Sequence, residues 1–432
     1  MINKLLYSGN LIDLKKNQTI QYSHISLKDD LNEFPSELYS FKESLVFLDL
    51  SGNNLNDLPD DFLVFDKLEI LFLSNNQFEV FPEILSKCKS LRMIGIKANK
   101  IHSIPEYSFP EKLQWLTLTD NLIQILPNSI GGCKELQKLI LSGNKLKTIP
   151  QEISRCENLE LVRIAANCLE EFPLVLFELP KLTWLAYSGN PFCSQENEID
   201  LPKFDWTNFE QLEELGNGAS GVIYKVKNSA EEVFALKVFK GGMTSDGSPL
   251  DELYHYDKVG NHQNLVALKG EVSNYIEAKK AVLFDLIPKD YVNLGNPPSL
   301  VSCSRDVMSI HHNFTYKQVL FLLNSIASVS KLMHEKGVMH GDLYAHNILV
   351  NKSANCFLGD FGAASSYVSV NDVALFEKIE VRAFGVLIED VMQVSFLDLN
   401  EKAALEEIKF KCLDPTLSIR PTFEQLIKML KF

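Results

Sequence analysis

The chain has 432 residues, 46% of them hydrophobic and 23% charged, with 42 Lys and Arg against 56 Asp and Glu and a net charge of -14. That length exceeds one ordinary compact core and predicts two or three domains, while the composition excludes a disordered or fibrous chain. The acidic excess argues against general nucleic-acid binding, because a phosphate backbone attracts proteins rich in Lys and Arg.

Residues Met1 to Asn17 carry Lys4, Asp13, Lys15 and Lys16 and no long apolar run, and no later stretch approaches bilayer-spanning length. The expectation is no standard signal peptide and no membrane insertion. The eight cysteines lack the paired spacing of a zinc site or a disulfide framework and fit reduced thiols in a cytosol. Cys88, Cys133 and Cys156 each stand three residues before a repeat start, as small apolar residues of stacked units.

Repeats dominate the first half. Leucines open successive units at 45, 68, 91, 113, 136, 159 and 182, a step of 23 residues with a single 22. Each unit reads Leu-x-x-hydrophobic-x-hydrophobic-x-x-Asn, with Asn at 53, 76, 99, 121, 144, 167 and 190, and Pro closes most units, from Pro59 to Pro173. This is the leucine-rich-repeat signature, and its period predicts a solenoid whose units bury their apolar edges only against neighbours. The alternating core should form short strands, and each Asn should bond the turn backbone of its own and adjacent units. Residues 1–22, with the irregular unit around Ile25 to Pro35, are expected to cap the solenoid, which runs over 23–193.

The third residue of each unit points to the concave face: Phe47, Ile70, Met93, Trp115, Lys138, Leu161 and Trp184. Six of these seven are apolar on a face expected to be wet. Such a line marks a groove for a protein partner, or a docking face for the second domain, against the plainer reading of partial shielding by neighbouring strands. Ser194 to Trp206 loses the alternation and reads as a linker over 194–206.

From Leu215 the chain reads Leu-Gly-Asn-Gly-Ala-Ser-Gly-Val-Ile-Tyr-Lys-Val. Gly216, Gly218 and Gly221 fit a hairpin whose backbone approaches phosphates and visits positive φ. That motif is weak alone, since dinucleotide-binding folds share it. Phe234-Ala-Leu-Lys237 follows on an apolar strand, with no helix opening after the third Gly. Glu252, with Asp251 as fallback, is expected to hold Lys237. Val282-Leu-Phe-Asp-Leu-Ile forms a continuous apolar strand, Thr315 to Lys336 has helical periodicity, and Gly337 stops it.

Residues 340–347 read His-Gly-Asp-Leu-Tyr-Ala-His-Asn, and Asp360-Phe361-Gly362 comes next. Phosphoryl transfer needs a carboxylate at the attacking hydroxyl, oxygen ligands for magnesium and a cation on the phosphates, which suits Asp342, then Asn347 and Asp360, then Lys237. Order and spacing resemble the catalytic loop and metal-binding triplet of protein kinases. The whole chain resembles the bacterial leucine-rich-repeat protein kinase family. The fold implied is an α/β and α+β pair of domains: a leucine-rich-repeat solenoid, then a bilobal protein-kinase-like domain over 207–432.

The resemblance implies further roles. Leu215, Ile223, Ala235 and Leu349 would surround adenine, with Phe284 as gatekeeper and the backbone near Asp285 to Ile287 meeting the base. Glu380 stands where the large-lobe helix usually carries Asp, and Arg420 in Cys412-Leu-Asp-Pro…Arg420-Pro421 would be structural. His340 is expected to order the loop through backbone hydrogen bonds, His346 to be exposed, and His311-His312 to be loop rather than metal site. Three departures stand out. Gly341 replaces the usual Arg that pairs with a phosphorylated activation segment, Tyr344 replaces the Lys of Ser/Thr kinases, and only 17 residues separate Gly362 from Glu380.

The expected function is an ATP- and magnesium-dependent Ser/Thr protein kinase, acting in its own cytosol or a host's, with the repeats recruiting a substrate or partner. Two rivals are a small-molecule kinase of the aminoglycoside-phosphotransferase kind and a leucine-rich-repeat scaffold with an inactive kinase-like domain.

Overall fold

The apolar alternation of the repeats produces a stack of very short parallel strands. The computed structural model describes residues 5–16, 20–193, 201–218, 221–241, 244, 246–276, 279–309, 312–367 and 373–431. It divides into two compact units, Met1–Lys181 and Leu182–Phe432.

In the first unit, β1 (Leu6–Gly9) and the helix α1 (Leu11–Lys16) precede β2 (His24–Leu27). Parallel pairing continues through β3 (Phe47–Asp49), β4 (Ile70–Phe72), β5 (Met93–Gly95), β6 (Trp115–Thr117), β7 (Lys138–Ile140) and β8 (Leu161–Arg163). The repeat leucines Leu45, Leu68, Leu91, Leu113, Leu136 and Leu159 are buried. Pro82, Pro127, Pro150 and Pro173 each cap a short 3-10 helix, where a fixed φ and a missing N–H carry no penalty. The asparagines do what the spacing predicts. Asn76 Nδ2 donates to Leu50 O at 2.9 Å and Leu73 O at 3.0 Å, and its Oδ1 accepts from Leu55 N at 2.9 Å.

The apolar line is not a wet one. Ile70, Met93 and Leu161 are buried, and Phe47 and Trp115 are half-buried. Phe47 stacks on His24 and meets Phe72 edge-on, while Lys138 Nζ lies 4.1 Å above the Trp115 ring. Side chains this large, repeated every strand spacing, cover one another.

The second unit opens with β9 (Trp184–Ala186), so the last repeat's strand groups with the C-terminal half of the chain. Within the stretch expected to be linker, residues 194–200 lie outside the described residues, but Lys203–Asp205 forms β10 and pairs in parallel with β14 (Leu268–Ser273). Phe204 and Trp206 pack on the small-lobe core of Val226, Leu236, Val238, Val272, Ala281 and Leu283, which is why this segment is ordered structure rather than spacer. The remaining small-lobe strands are β11 (Phe209–Asn217), β12 (Gly221–Asn228), β13 (Val233–Phe239) and β15 (Ala281–Asp285), in the order β10-β14-β15-β13-β12-β11.

The helix α2 (Pro249–Val259) crosses between β13 and β14 in sequence; Ser248 Oγ caps it by accepting from Leu250 N. The large lobe holds β16 (Val292–Asn293), α3 (Tyr316–Glu335), β17 (Val338–Met339), β18 (Ile348–Val350), β19 (Cys356–Leu358), β20 (Ser365–Ser366), α4 (Ala374–Gln393), α5 (Leu399–Cys412) and α6 (Phe423–Met429). A capping box of Thr315 and Gln318 starts α3. All eight cysteines are free thiols. Among the described residues no helix is long and apolar enough to cross a membrane, and no cluster of three His, Cys, Asp or Glu could hold a metal.

Candidate active site

Four paired strands carry one row of site residues. Gly216 faces Ile223, Ile223 faces Lys237, and Lys237 faces Val282. Alternation then sends the Lys237 side chain to the face where α2 lies, and α2 presents Glu252 to it. Lys237 Nζ is 2.6 Å from Glu252 Oε1 and 3.7 Å from Asp360 Oδ1, with Lys237 and Glu252 both buried. The fallback Asp251 is not the partner of Lys237.

Burial pulls the Lys237 ammonium down, but the charges of Asp360 and Glu252 outweigh it and hold its pKa above the ordinary lysine value. Burial pushes the Glu252 carboxyl up to about 7, against the pull of Lys237. The short contact to a buried ammonium favours the ionised pair. Lys237 holds Asp360 below the usual carboxylate range, and 48% of the Asp360 side chain remains open to solvent.

Asp360 sits at φ +55, and its Oδ1 accepts from Gly362 N at 3.2 Å. Phe361 is fully buried, stacked on Tyr256 at 3.9 Å between centroids and edge-on to His340 at 5.3 Å. Tyr256 also meets Phe284 at 5.3 Å, so an aromatic chain joins β15 to His340. Tyr256 was not singled out from the sequence. It lies four residues after Glu252 on the same helix, and that spacing alone could have placed both on one face.

The catalytic loop is fixed from several sides. Asn347 Nδ2 donates to Asp342 Oδ2 at 2.8 Å and to Asp342 O at 2.9 Å. His340, fully buried, reaches Gly359 O at 3.0 Å and accepts from Asp342 N, as expected of a loop-ordering residue. Glu380 on α4 accepts from His340 N at 3.2 Å and Gly341 N at 2.8 Å, and pairs with His334 at 2.8 Å. Burial would raise the Glu380 carboxyl, but these donors hold it below its ordinary value.

His346 is not exposed. Its N–H donates to Asp306 Oδ2 at 2.8 Å and its Nδ1 lies 2.7 Å from Asp306 Oδ1. Burial pulls this imidazole down, and the Asp306 hydrogen bond and charge overcome it. Asp306 lies in no motif, so no signal in the sequence marks it. Tyr344 turns away into the fold, its hydroxyl donating to Ser304 O at 2.8 Å. Arg420 is structural: buried, with Nε donating to Asp414 O and Nη1 to Lys378 O. His311 lies outside the described residues, and His312 stacks on Phe314 near Leu294 O.

The glycine loop departs from one expectation. None of Gly216, Gly218 and Gly221 has positive φ; what they supply is room. A Cβ on Gly221 would come within 2.6 Å of Val238 O, whereas those on Gly216 and Gly218 would meet open space or only light contact. Gly218 N closes the hairpin on Gly221 O at 2.9 Å. Leu215 and Ile223 are exposed apolar residues on this hairpin, Ala235 faces Phe284 across the sheet, and Leu349 lies half-buried on β18. Asp285 and Ile287 come after Phe284 at the end of β15, where Asp285 pairs with Lys269 at 2.9 Å.

This arrangement is that of a bilobal protein kinase domain, with the Lys237–Glu252 pair beside Asp360 and Asn347 bonded to Asp342. Comparison agrees: residues 209–381 match the protein kinase domain family, and residues 43–101 and 89–146 match the leucine rich repeat family. The chain therefore carries leucine-rich repeats and, after them, a protein kinase domain.

The chain is 30% identical over 242 residues to a probable cyclin-dependent serine/threonine-protein kinase of Dictyostelium discoideum, covering 51% of this chain and 36% of that protein. It is 25% identical over 189 residues to cyclin-dependent kinase C-2 of Oryza sativa subsp. japonica, covering 40% and 34%. A probable serine/threonine-protein kinase of Arabidopsis thaliana is 24% identical over 163 residues, covering 37% and 21%. The chain thus spans between a fifth and about a third of these relatives' lengths. Among solved structures, a leucine-rich-repeat protein of Leptospira interrogans is 26% identical, covering 43% of this chain and 55% of that one at a TM-score of 0.37.

Proposed function

We propose that the chain is an ATP- and magnesium-dependent kinase that phosphorylates Ser or Thr hydroxyls on proteins. The observation that carries this reading is the Lys237–Glu252 pair beside Asp360, with Phe361 buried under α2. A degenerate domain would have no need to keep a buried ion pair aimed at a second carboxylate, given what burying charge costs.

In the proposed reaction the acceptor hydroxyl oxygen forms a bond to the γ-phosphorus while the bond to the bridging oxygen of ADP breaks. The hydroxyl proton passes to the Asp342 carboxylate, and the departing electron pair stays on ADP. Lys237 places its charge on the α- and β-phosphates, and Glu252 aims it. Tyr344 contributes no cation, so Lys237 is the positive side chain that this reading assigns to the phosphates.

Asn347 and Asp360 fit magnesium. The Asn347 amide spends its N–H groups on Asp342, and its Oδ1 takes no hydrogen bond among the described residues. Magnesium asks for hard oxygen ligands and commonly completes its shell with phosphate and water. When bound there, it would neutralise charge on the phosphate oxygens. Leu215, Ile223, Ala235 and Leu349 line the adenine side in this reading, with the backbone at Asp285 and Ile287 reading the base.

The repeats are assigned to recruiting a protein partner or substrate, with Phe47 and Trp115, the least covered of the apolar line, at the contact. The free, buried thiols, such as Cys133 with its pKa pushed up to about 12 by burial, suit a reducing cytoplasm. The bacterial affiliation in this reading rests on the His-Gly-Asp-Leu-Tyr-Ala-His-Asn loop alone, whereas the relatives named above are eukaryotic.

The test is transfer of label from radiolabelled ATP by wild type and Asp342→Asn, offered casein and histones and then an aminoglycoside panel. Label on protein that disappears in the variant supports the reading. Label confined to a small molecule replaces it with a metabolite kinase, and ATP binding without transfer leaves a scaffold.

A further inference from the structure

The strand β9 and the residues after it lie against two segments of the second unit at once. One is the catalytic loop. The Trp184 ring stacks on Tyr344 with centroids 4.1 Å apart and planes 8° from parallel, and Trp184 Nε1 donates to Leu343 O at 3.3 Å. The other is the stretch just after Asp360-Phe361-Gly362. Tyr187 N donates to Ser365 Oγ at 3.0 Å, and Ser188 Oγ donates to Ala364 O at 2.7 Å.

The two meet at Gly341. A Cβ there would stand 2.5 Å from Leu185 O and 2.6 Å from Ala363 O, so three backbones converge with room for a hydrogen only. Trp184 and Tyr187 are fully buried and Tyr344 is 3% exposed. Mere filling of a core would need apolar contact alone. Here two of the contacts end on main-chain carbonyls, Leu343 O and Ala364 O, of the loops that carry Asp342 and Asp360, and Leu343 is the next residue after Asp342.

In protein kinases, catalysis requires the catalytic loop and the activation segment to be held in register, and phosphorylation commonly does this through charge. Gly341 stands where the Arg for that pairing would be. We propose that Trp184 is a positioning residue for phosphoryl transfer: with the Leu185–Ser188 backbone and Ser188 hydroxyl it locks the catalytic loop to the start of the activation segment. The lock is internal to the chain, so the active arrangement needs no phosphate on the activation segment. The inference rests on the kinase reading above.

The experiment uses the full chain as wild type, Trp184→Ala, Trp184→Phe and Ser188→Ala. It measures kcat and KM for ATP, and hydrogen exchange of amides in residues 340–344 and 363–365. Trp184→Ala is expected to lower kcat by about tenfold or more with KM for ATP changed by less than about twofold, and Trp184→Phe, which keeps a stacking ring, to recover most of the loss. Amide exchange should quicken in both segments of Trp184→Ala, and phosphatase treatment of wild type should leave kcat unchanged.

A wild-type kcat in Trp184→Ala, or a phosphatase-treated wild type that loses activity, overturns the inference. Should Trp184→Ala fail to fold, Ser188→Ala removes one clamp without emptying the core, and a kcat loss of about two- to fivefold with KM unchanged is expected. An unchanged kcat in Ser188→Ala would then overturn the inference. If wild type transfers no phosphate, the kinase reading falls by itself. Exchange then decides the lock, because equal exchange in wild type and variants overturns it.

Discussion

Lys237 Nζ lies 2.6 Å from Glu252 Oε1, in a place where 2% of Glu252 reaches solvent. The Glu252 carboxyl is already pushed up to about 7 by burial, against the ammonium that faces it. In Lys237→Met that ammonium is gone, so the folded-state pKa climbs further above its ordinary value of 4.5. A carboxyl raised on folding keeps a proton that the unfolded chain has lost, so its effect on stability worsens as pH rises from the unfolded value through the folded one. The variant is expected to lose transfer and to be less stable by about 3 kcal/mol above about pH 8, with a smaller deficit at about pH 6. Urea unfolding at the two pH values measures this, and equal deficits would show that Glu252 is not the group left stranded.

Glu380 carries the opposite sign. Burial would raise its carboxyl, but His334 and the amides of the catalytic loop pull it below 4.5 on balance. Stability from such a group is present above the unfolded value and is lost as pH falls through the lower folded value. Glu380→Gln keeps one acceptor but loses the charge that His340 N, Gly341 N and His334 share. A loss of about 2 kcal/mol at neutral pH is expected, shrinking toward acid. Thermal unfolding from acid to neutral pH checks it, and a deficit independent of pH would remove Glu380 as the ionised anchor.

Much of this was legible because certain residues act through spacing alone. The repeat leucines and asparagines impose their period whatever surrounds them, and Lys237, Asp342, Asn347 and Asp360 stand in an order and at spacings that resemble those of a protein kinase domain. The pairing of Glu252 with Lys237 came from the distance of Glu252 ahead of Gly260 to Val266, with Asp251 as the fallback. What the sequence hid depended on contacts between segments far apart in the chain, which no spacing records: Asp306 beneath His346, Tyr256 between Phe284 and Phe361, and Trp184 on Tyr344. The exposure expected for Ile70, Met93 and Leu161 failed because alternation reports which way a side chain points and not how far its neighbours spread.

The asparagine ladder of the solenoid makes unequal predictions for equivalent positions. Asn144 Nδ2 donates to Leu118 O and Leu141 O, and Oδ1 accepts from Ile123 N. Both carbonyls keep a second donor, from Asn121 and Asn167, so Asn144→Ala strands one buried N–H. Asn121 serves Ile96 O at 2.9 Å and Ile101 N at 3.0 Å, and neither has another hydrogen-bond partner among the described residues. Asn121→Ala should therefore cost about 1 kcal/mol more than Asn144→Ala, each losing about 2 kcal/mol or more. Denaturation of the two variants decides it. Equal losses would mean the carbonyls are not the limiting partners.

Gly341 offers the sharpest substitution. Its φ is +73, where a side chain costs about 1–2 kcal/mol before any contact is counted. The added Cβ would also press on Leu185 O at 2.5 Å and Ala363 O at 2.6 Å, and both are main-chain oxygens that cannot rotate aside. Gly341→Ala is expected to displace the loop that carries Asp342, lowering kcat by about tenfold or more while ATP binding, set by Lys237 and the hairpin, stays within about twofold. Gly341→Arg, which restores the residue that kinases usually carry there, should be worse still, because the space for a guanidinium is filled by β9 and the residues around it. Steady-state rates beside nucleotide titration measure both effects. An alanine variant with wild-type kcat would show that the three backbones have slack, and an arginine variant that gained activity would reverse the account of why glycine stands there.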